Sequence, residues 1–281
     1  MRKTIDDIKK KKQSHQKIVM LTAYDFPVAS ILDQAGVDII LVGDSLAHVV
    51  LGLDSTKDVG MAEMLHHAKA VNRAVKEALL VGDMPFSSYQ INPSTAVINA
   101  KRFIVEAGCD AVKLEWFDHC LGVAKEIIEA GIPVMGHVGL TPQRADELGG
   151  YKVQGNTQES AARIIDQAQA LAKAGCFSLV LECIPHQVAE IITREVAVPT
   201  IGIGAGAQCD GQVLVIHDIL GLESKLKPKF VKQYASLGEE IRLAVLQFKQ
   251  EVVSGQFPDA DHSYTIPAQA MNGIRSQRGT R

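Results

Sequence analysis

Apolar and polar positions fall along this chain in repeating blocks. Four segments share one grammar: AGVDIILVGD (35–44), AGCDAVKLE (107–115), AGIPVMGH (130–137) and AGCFSLVLE (174–182). Each starts with Ala-Gly behind a helix-like stretch, runs through apolar residues, and stops on Asp, Glu or His. The glycine suits the left-handed position that closes a helix. The apolar run suits a strand buried on both faces. Three further runs, KIVMLTAYD (17–25), ALLVGD (78–83) and VPTIGIGAG (198–206), fit without the Ala-Gly, and QVLVIHD (212–218) makes an eighth. Helix-period stretches lie between and after them: FPVASILDQAG, MAEMLHHAKAVNRAVKEA, PSTAVINAKRFIVEAG, ESAARIIDQAQALAKAG and FVKQYASLGEEIRLAVLQFKQEVV. Strand and helix alternating eight times predict a parallel sheet, and eight units predict a closed (β/α)8 TIM barrel. A doubly wound open sheet is the alternative, because closure is not written in a linear pattern. One barrel domain is expected over residues 1–253, with a short N-terminal helix, and a polar, flexible tail over 254–281.

Composition narrows the function more than the fold. The 281 residues, 47% of them hydrophobic, allow an ample core, and a formal net charge of -3 speaks against nucleic acid or an anionic membrane as partner. The basic run KKKKQ (9–13) reads as a solvated helix end. No apolar stretch approaches the ~20 residues of a membrane span, and MRKTIDDIKK lacks the apolar core of a signal peptide. Five cysteines, widely spaced and without a CxxC pair, read as reduced thiols. A cytoplasmic protein is the expectation.

In a barrel the reactive groups collect where strands end at the C-terminal edge. Polar residues fall there in unit after unit: Tyr24 and Asp25, Asp44 and Ser45, Asp83, Lys113 and Glu115, His137, Glu182, then His217 and Asp218. A lone Asp or Ser after a strand is an ordinary helix N-cap. Seven such ends, several carrying residues that cap poorly, point to a site. Lys113 and Glu115 stand two apart in a strand, so both side chains leave the same face; a structural ion pair and a pair of ligand contacts both fit. Oxygen donors favour a hard cation such as Mg2+, whereas His137 would pull towards a softer metal. The glycine-rich IGIGAGAQCDG (201–211) nearly satisfies a dinucleotide fingerprint. That fingerprint belongs in a first strand–helix turn, so a tight barrel loop passing close to a ligand or a neighbour is the better reading. His66 and His67 are expected on a helix, at the surface or partly packed, and His48 near the site or in a structural role.

These residues together resemble the ketopantoate hydroxymethyltransferase family. The resemblance runs from about Met20 to Phe248 and is carried by LTAYDFPVASILDQAGVDIILVGDSLAHVVLG, VGDMPF, AVKLEW, PVMGHVGLTPQ, LVLECIP and IGIGAGAQCDGQVLVIHD. It implies a barrel of the phosphoenolpyruvate/pyruvate type, Mg2+ dependence and a ring-like homodecamer. It also implies transfer of a one-carbon unit from the co-substrate 5,10-methylenetetrahydrofolate to 3-methyl-2-oxobutanoate, giving 2-dehydropantoate in pantothenate synthesis. By position, Asp44 and Asp83 match the family's metal ligands, with Glu115 a third acidic group. Asp44, Ser45, Asp83 and Lys113 match contacts to the keto acid, Glu182 matches the proton acceptor, and His137 lines the site. The competing enzyme reading is a Mg2+-dependent 2-oxo acid lyase or mutase of the phosphoenolpyruvate mutase/isocitrate lyase type, although a KKCGH-type loop is absent. A non-catalytic scaffold would be expected to lose some of these charged strand ends.

Overall fold

The computed structural model describes residues 1–222 and 228–279. Eight strands run β1 Ile18–Thr22, β2 Ile39–Val42, β3 Leu79–Asp83, β4 Ala111–Glu115, β5 Val134–Gly139, β6 Ser178–Glu182, β7 Thr200–Ile203 and β8 Gly211–Leu214. The helices are α1 Ile5–Gln13, α2 Phe26–Gln34, α3 Leu46–Val49, α4 Met61–Ala74, α5 Pro93–Val105, α6 Cys120–Glu129, α7 Gln158–Ala174, α8 His186–Glu195, α9 Ile216–Leu220, α10 Leu237–Ser254 and α11 Ala268–Arg278. All strands pair in parallel in sequence order, and β8 returns to β1 with Met20 opposite Val213, so the barrel closes. The open-sheet alternative is thereby excluded.

Side-chain alternation builds two cores. Ile39 and Leu41, Leu79 and Val81, Ala111 and Met135 point into the barrel, where they pack with Ile18, Met20, Phe177, Val180, Ile201 and Val213. The intervening residues, such as Ile40, Leu80, Val112 and Leu114, face the helices. The floor of the barrel is closed by α1. A Thr4–Asp7 capping box starts that helix, and its Ile8, fully buried, joins the interior cluster. Lys11 and Lys12 of the basic run are half-buried in ion pairs to Asp38 and Asp210 at 2.7 and 2.8 Å, so they are anchors rather than a solvated end.

The structure departs from the expected elements in places with physical reasons. β1 stops at Thr22, and Asp25 caps α2 through a 2.8 Å bond from the Val28 N–H. β8 stops at Leu214, because the Ile216 N–H donates to Thr22 Oγ1 and the chain turns into α9, which carries His217 and Asp218. No helix lies between β7 and β8. The glycine-rich 204–210 link returns directly, and a Cβ at Gly211 would stand 2.5 Å from the Ile18 carbonyl oxygen, so this close approach requires glycine. The last predicted helix begins at Leu237 rather than Phe230, since the Tyr234 and Ala235 N–H groups bond the Ile219 carbonyl instead of their own turn. The helices α6 and α8 fill gaps between the helical stretches read from the sequence. Within the polar tail, α11 forms without a buried residue; the last two residues lie outside the described residues. No described helix is long and apolar enough to cross a membrane.

Candidate active site

Four of the strand ends point titratable groups inward. Asp83 closes β3, Lys113 and Glu115 occupy β4 and His137 lies in β5, all on the parity of the barrel interior and all buried. Glu182 closes β6 and is the carboxylate nearest solvent, its side chain 15% exposed. Asp44 and Ser45 follow β2 where the chain enters the single turn of α3. Neither acts as a cap. Ser45 makes no side-chain cap bond and instead shares a 2.8 Å hydrogen bond with the Tyr24 hydroxyl. Asp44 accepts from Gln143 Nε2 at 2.9 Å, and its own N–H donates to Asp83 Oδ2 at 3.2 Å. The two Gly-Asp strand ends therefore meet.

Lys113 Nζ donates to both oxygens of Asp83 at 2.8 Å and lies 4.0 Å from Glu115 Oε1. Burial opposes its charge, but Asp83, Glu115 and Asp44 more than offset this and hold the ammonium above its ordinary pKa. Burial pushes the Asp83 carboxyl up to about 7; Lys113 draws it down and Asp44 adds to the rise. Burial also raises Glu115 well above the usual carboxylate range. His137 sits between two carboxyl groups, with Nε2 3.2 Å from Glu182 Oε2 and Nδ1 3.5 Å from Glu115 Oε1. Neither approach has hydrogen-bond geometry, so both ring nitrogens and Glu115 Oε1 lack a hydrogen-bond partner among the described residues. Burial, then Lys113, keeps this imidazole neutral, well below its usual pKa. Burial pushes Glu182 up to about 8, against Lys113 and with Asp44.

The donors suit a hard divalent cation. Two crowded aspartates and a buried, unpartnered glutamate oxygen are oxygen ligands whose mutual repulsion a cation relieves. Among the described residues no three His, Cys, Asp or Glu side chains form a ready metal cage. Mg2+ requires none, since it takes one or two carboxylates and completes its shell with water and substrate oxygens.

Other expected residues fall elsewhere. Asp25 is a cap, and His67 Nδ1 meets the Tyr24 carbonyl at 2.7 Å, which makes that ring the partly packed element the helix allowed for. His48 instead borders the site: its Nε2 meets the Tyr151 hydroxyl at 3.2 Å, and that hydroxyl feels the charges of Asp44, Glu182 and Glu115. Reading the chain did not single out Gln143 and Tyr89, both fully buried beside the acids. Gln143 lies within the quoted PVMGHVGLTPQ segment, but one amide in a Thr-Pro turn has no charge or spacing to mark it.

The class comes first from the fold. Phosphonopyruvate hydrolase, in a crystal structure described as a complex with oxalate and Mg++, superposes with a TM-score of 0.59 at 12% identity, covering 99% of this chain and 100% of that one. 2,3-Dimethylmalate lyase, described as a PEP mutase/isocitrate lyase superfamily member, gives 0.58 at 14%, covering 99% and 96%. At such identity the likeness is one of fold: this chain, like those, is a closed TIM barrel.

The sequence then narrows it. The model of the family described as ketopantoate hydroxymethyltransferase matches residues 2–260, and the chain belongs to that family. The 3-methyl-2-oxobutanoate hydroxymethyltransferase of Desulfotalea psychrophila is 56% identical over 94% of this chain and 95% of its own length. The protein of the same name from Carboxydothermus hydrogenoformans is 50% identical over 97% and 99%. The lyase or mutase alternative finds support only in the fold.

Proposed function

We propose that this chain is a 3-methyl-2-oxobutanoate hydroxymethyltransferase, using 5,10-methylenetetrahydrofolate and water to convert that keto acid to 2-dehydropantoate and release tetrahydrofolate. The observation that carries the reading is Glu182: a carboxylate at the mouth of the barrel, raised to about 8 by burial, beside the Asp44–Asp83–Lys113 cluster. Deprotonating a tertiary carbon next to a ketone needs a base stronger than an ordinary glutamate and a home for the charge that develops on the keto oxygen.

Asp44 and Asp83, with Glu115 directly or through water, would hold Mg2+, which supplies Lewis-acid polarisation of the keto group when bound. The rest is the work of the chain. Lys113 offers a fixed positive charge to the substrate oxygens, and Ser45, held by Tyr24, offers a hydroxyl. Glu182 takes the C3 proton, and the C–H electron pair becomes the enolate. The enolate carbon then bonds to the methylene carbon of the folate as one C–N bond of that carbon breaks. Water displaces the second nitrogen and leaves its oxygen as the hydroxyl. The proton held by Glu182 and one from water go to the two released nitrogens of tetrahydrofolate. Neutral His137, against Glu182, keeps that carboxylate free of a compensating cation and so keeps it basic. Nothing in this sequence requires a covalent nucleophile.

A homo-oligomer, a decamer by family resemblance, is part of the reading. Its support is α10, which has no buried residue and displays Ile241, Leu243, Val245, Leu246 and Phe248; such an apolar surface is normally covered. The thiols, four buried and one half-buried, suit the reducing cytoplasm.

Proton NMR of 3-methyl-2-oxobutanoate with protein and Mg2+ in D2O tests substrate and chemistry together. The expected result is loss of the C3 proton signal without folate and 2-dehydropantoate with it. Turnover of a phosphonate or a C–C cleaving 2-oxo acid substrate, with no C3 exchange, would transfer the protein to the lyase and mutase reading.

A further inference from the structure

An uncharged side chain at the centre of the acidic rim makes three hydrogen bonds there, as many as the Asp83 carboxylate accepts. Gln143 lies in a 3-10 turn, Pro142–Arg144, shortly after β5 and is fully buried. Its Nε2 donates to Asp44 Oδ2 at 2.9 Å and to the Met84 carbonyl at 3.1 Å. Its Oε1 accepts from the Tyr89 hydroxyl, and its backbone N–H donates to Glu115 Oε2 at 3.1 Å. The amide has one sensible orientation: Asp44 and Met84 both present acceptors, so a flipped amide would set oxygen against oxygen.

Glutamine can be neither base nor nucleophile at neutral pH, so these bonds do something other than chemistry. They hold one oxygen of Asp44 and one oxygen of Glu115 from a single short turn. Glu115 Oε1 is left without a hydrogen-bond partner among the described residues, which is the state of an oxygen kept for another ligand. Tyr89 in turn holds the amide. Its ring is fully buried and packs edge-on to Phe117 at 5.5 Å, so the chain of bonds ends in the core. Without the amide, Asp44 would lose the donor that fixes its carboxylate and would be free to rotate towards Lys113 or water.

We propose that Gln143, backed by Tyr89, is the positioning residue that orients the Asp44 and Glu115 carboxylates and thereby sets the affinity of the rim for Mg2+. The inference rests on the metal role proposed for Asp44 and Asp83 and extends it to residues that never touch the ion. Partners of metal-bound ligands typically contribute about 10–100-fold in affinity. A residue that only packed the turn would change thermal stability and leave cation binding alone.

The experiment is calorimetric titration of the full chain with Mg2+, without substrate, alongside thermal melts. Gln143→Met keeps the length and removes the amide; it should bind Mg2+ about 10–100-fold more weakly, and its lost turnover should return at high Mg2+. Tyr89→Phe keeps the ring and removes the donor; it should weaken binding by a smaller factor and add nothing in the double variant. Folded Gln143→Met with wild-type affinity overturns the proposal. If that variant does not fold, unchanged affinity in Tyr89→Phe overturns it instead. Wild-type protein that binds no Mg2+, or binds it equally after Asp83→Ala, sinks the metal reading itself and this inference with it.

Discussion

The two ends of this barrel carry the same residue types in opposite states. At the floor, Asp33 accepts from the backbone N–H groups of Lys76, Glu77 and Ala78 at 2.9, 3.0 and 2.8 Å. Asp38 accepts from the Val19 N–H, Asp110 from Leu80 and Asp210 from Thr200, and lysine or arginine side chains complete all three. For Asp33 those N–H bonds outweigh burial and hold the carboxyl below its usual range. At the rim, Asp83, Glu115 and Glu182 are all raised, first by burial, and atoms of Glu115 and His137 lack hydrogen-bond partners among the described residues. Backbone donors at strand starts are consumed by the floor acids, whereas the rim acids share two backbone N–H groups, those of Asp44 and Gln143, with one lysine and one amide. Acids that are satisfied stabilise the fold; acids that are not are available to a ligand.

The largest expected effect tests the rim. Glu182→Gln should lower kcat by roughly 10²–10⁴-fold, the usual contribution of a positioned general base, and should abolish C3 exchange in D2O while Mg2+ still binds. In the wild type, kcat should rise with pH through about 8, where Glu182 ionises. The stability effect has the same origin. Its folded pKa lies above the unfolded 4.5, so the folded state gives up stability as pH rises from the unfolded value through the folded one. Glu182→Gln should therefore melt higher than wild type near pH 8 and alike near pH 4. Retained C3 exchange would move the base role elsewhere.

Next comes a pair that separates the ends. Asp33→Ala orphans three backbone donors and should cost at least about 2 kcal/mol, seen in denaturant melts, with kcat and Mg2+ affinity unchanged. Its sign with pH is the reverse of Glu182: a depressed carboxylate stabilises above its unfolded pKa of 3.8 and loses that contribution as pH falls through the folded value. Asp83→Ala should lose Mg2+ binding and also stability, because Lys113 is left buried without its carboxylate, a loss of roughly 3–5 kcal/mol for a broken buried pair. Loss of cation affinity in Asp33→Ala would erase the distinction between the two ends.

Much of the rim was legible in the sequence because strand parity and strand ends are one-dimensional properties. Lys113 and Glu115 share a face by their spacing, and the repeated Gly-Asp after an apolar run located Asp44 and Asp83. The capping reading of the same letters was right for Asp25 and wrong for Asp44, and only the position of the Val28 N–H separates them. Gln143 and Tyr89 were hidden because their importance lies in contacts 99 and 54 residues apart along the chain. The direct return from β7 to β8 was hidden for the same reason: Gly211, where the link enters β8, answers to the Ile18 carbonyl across the barrel seam.

The smallest expected effect concerns the thiols, where the two ends agree. Cys109 precedes β4 at the floor and Cys183 follows Glu182 at the rim, yet burial pushes both up to about 12, helped at Cys183 by Glu182. Position beside the base therefore does not activate Cys183, since the thiolate is the reactive form. What distinguishes it is the backbone: a φ of 47° in the left-handed region, its N–H bonded to the Ile203 carbonyl and its carbonyl to the Gln154 N–H. That conformation costs a non-glycine residue about 1–2 kcal/mol, and it turns the chain away directly after Glu182. Cys183→Ala keeps the strain and removes the sulfur, so kcat should stay within about threefold of wild type, and iodoacetamide should inactivate the wild type only slowly. A loss of kcat comparable with that of Glu182→Gln would make the thiol part of the chemistry and end the claim that the rim differs from the floor in its acids alone.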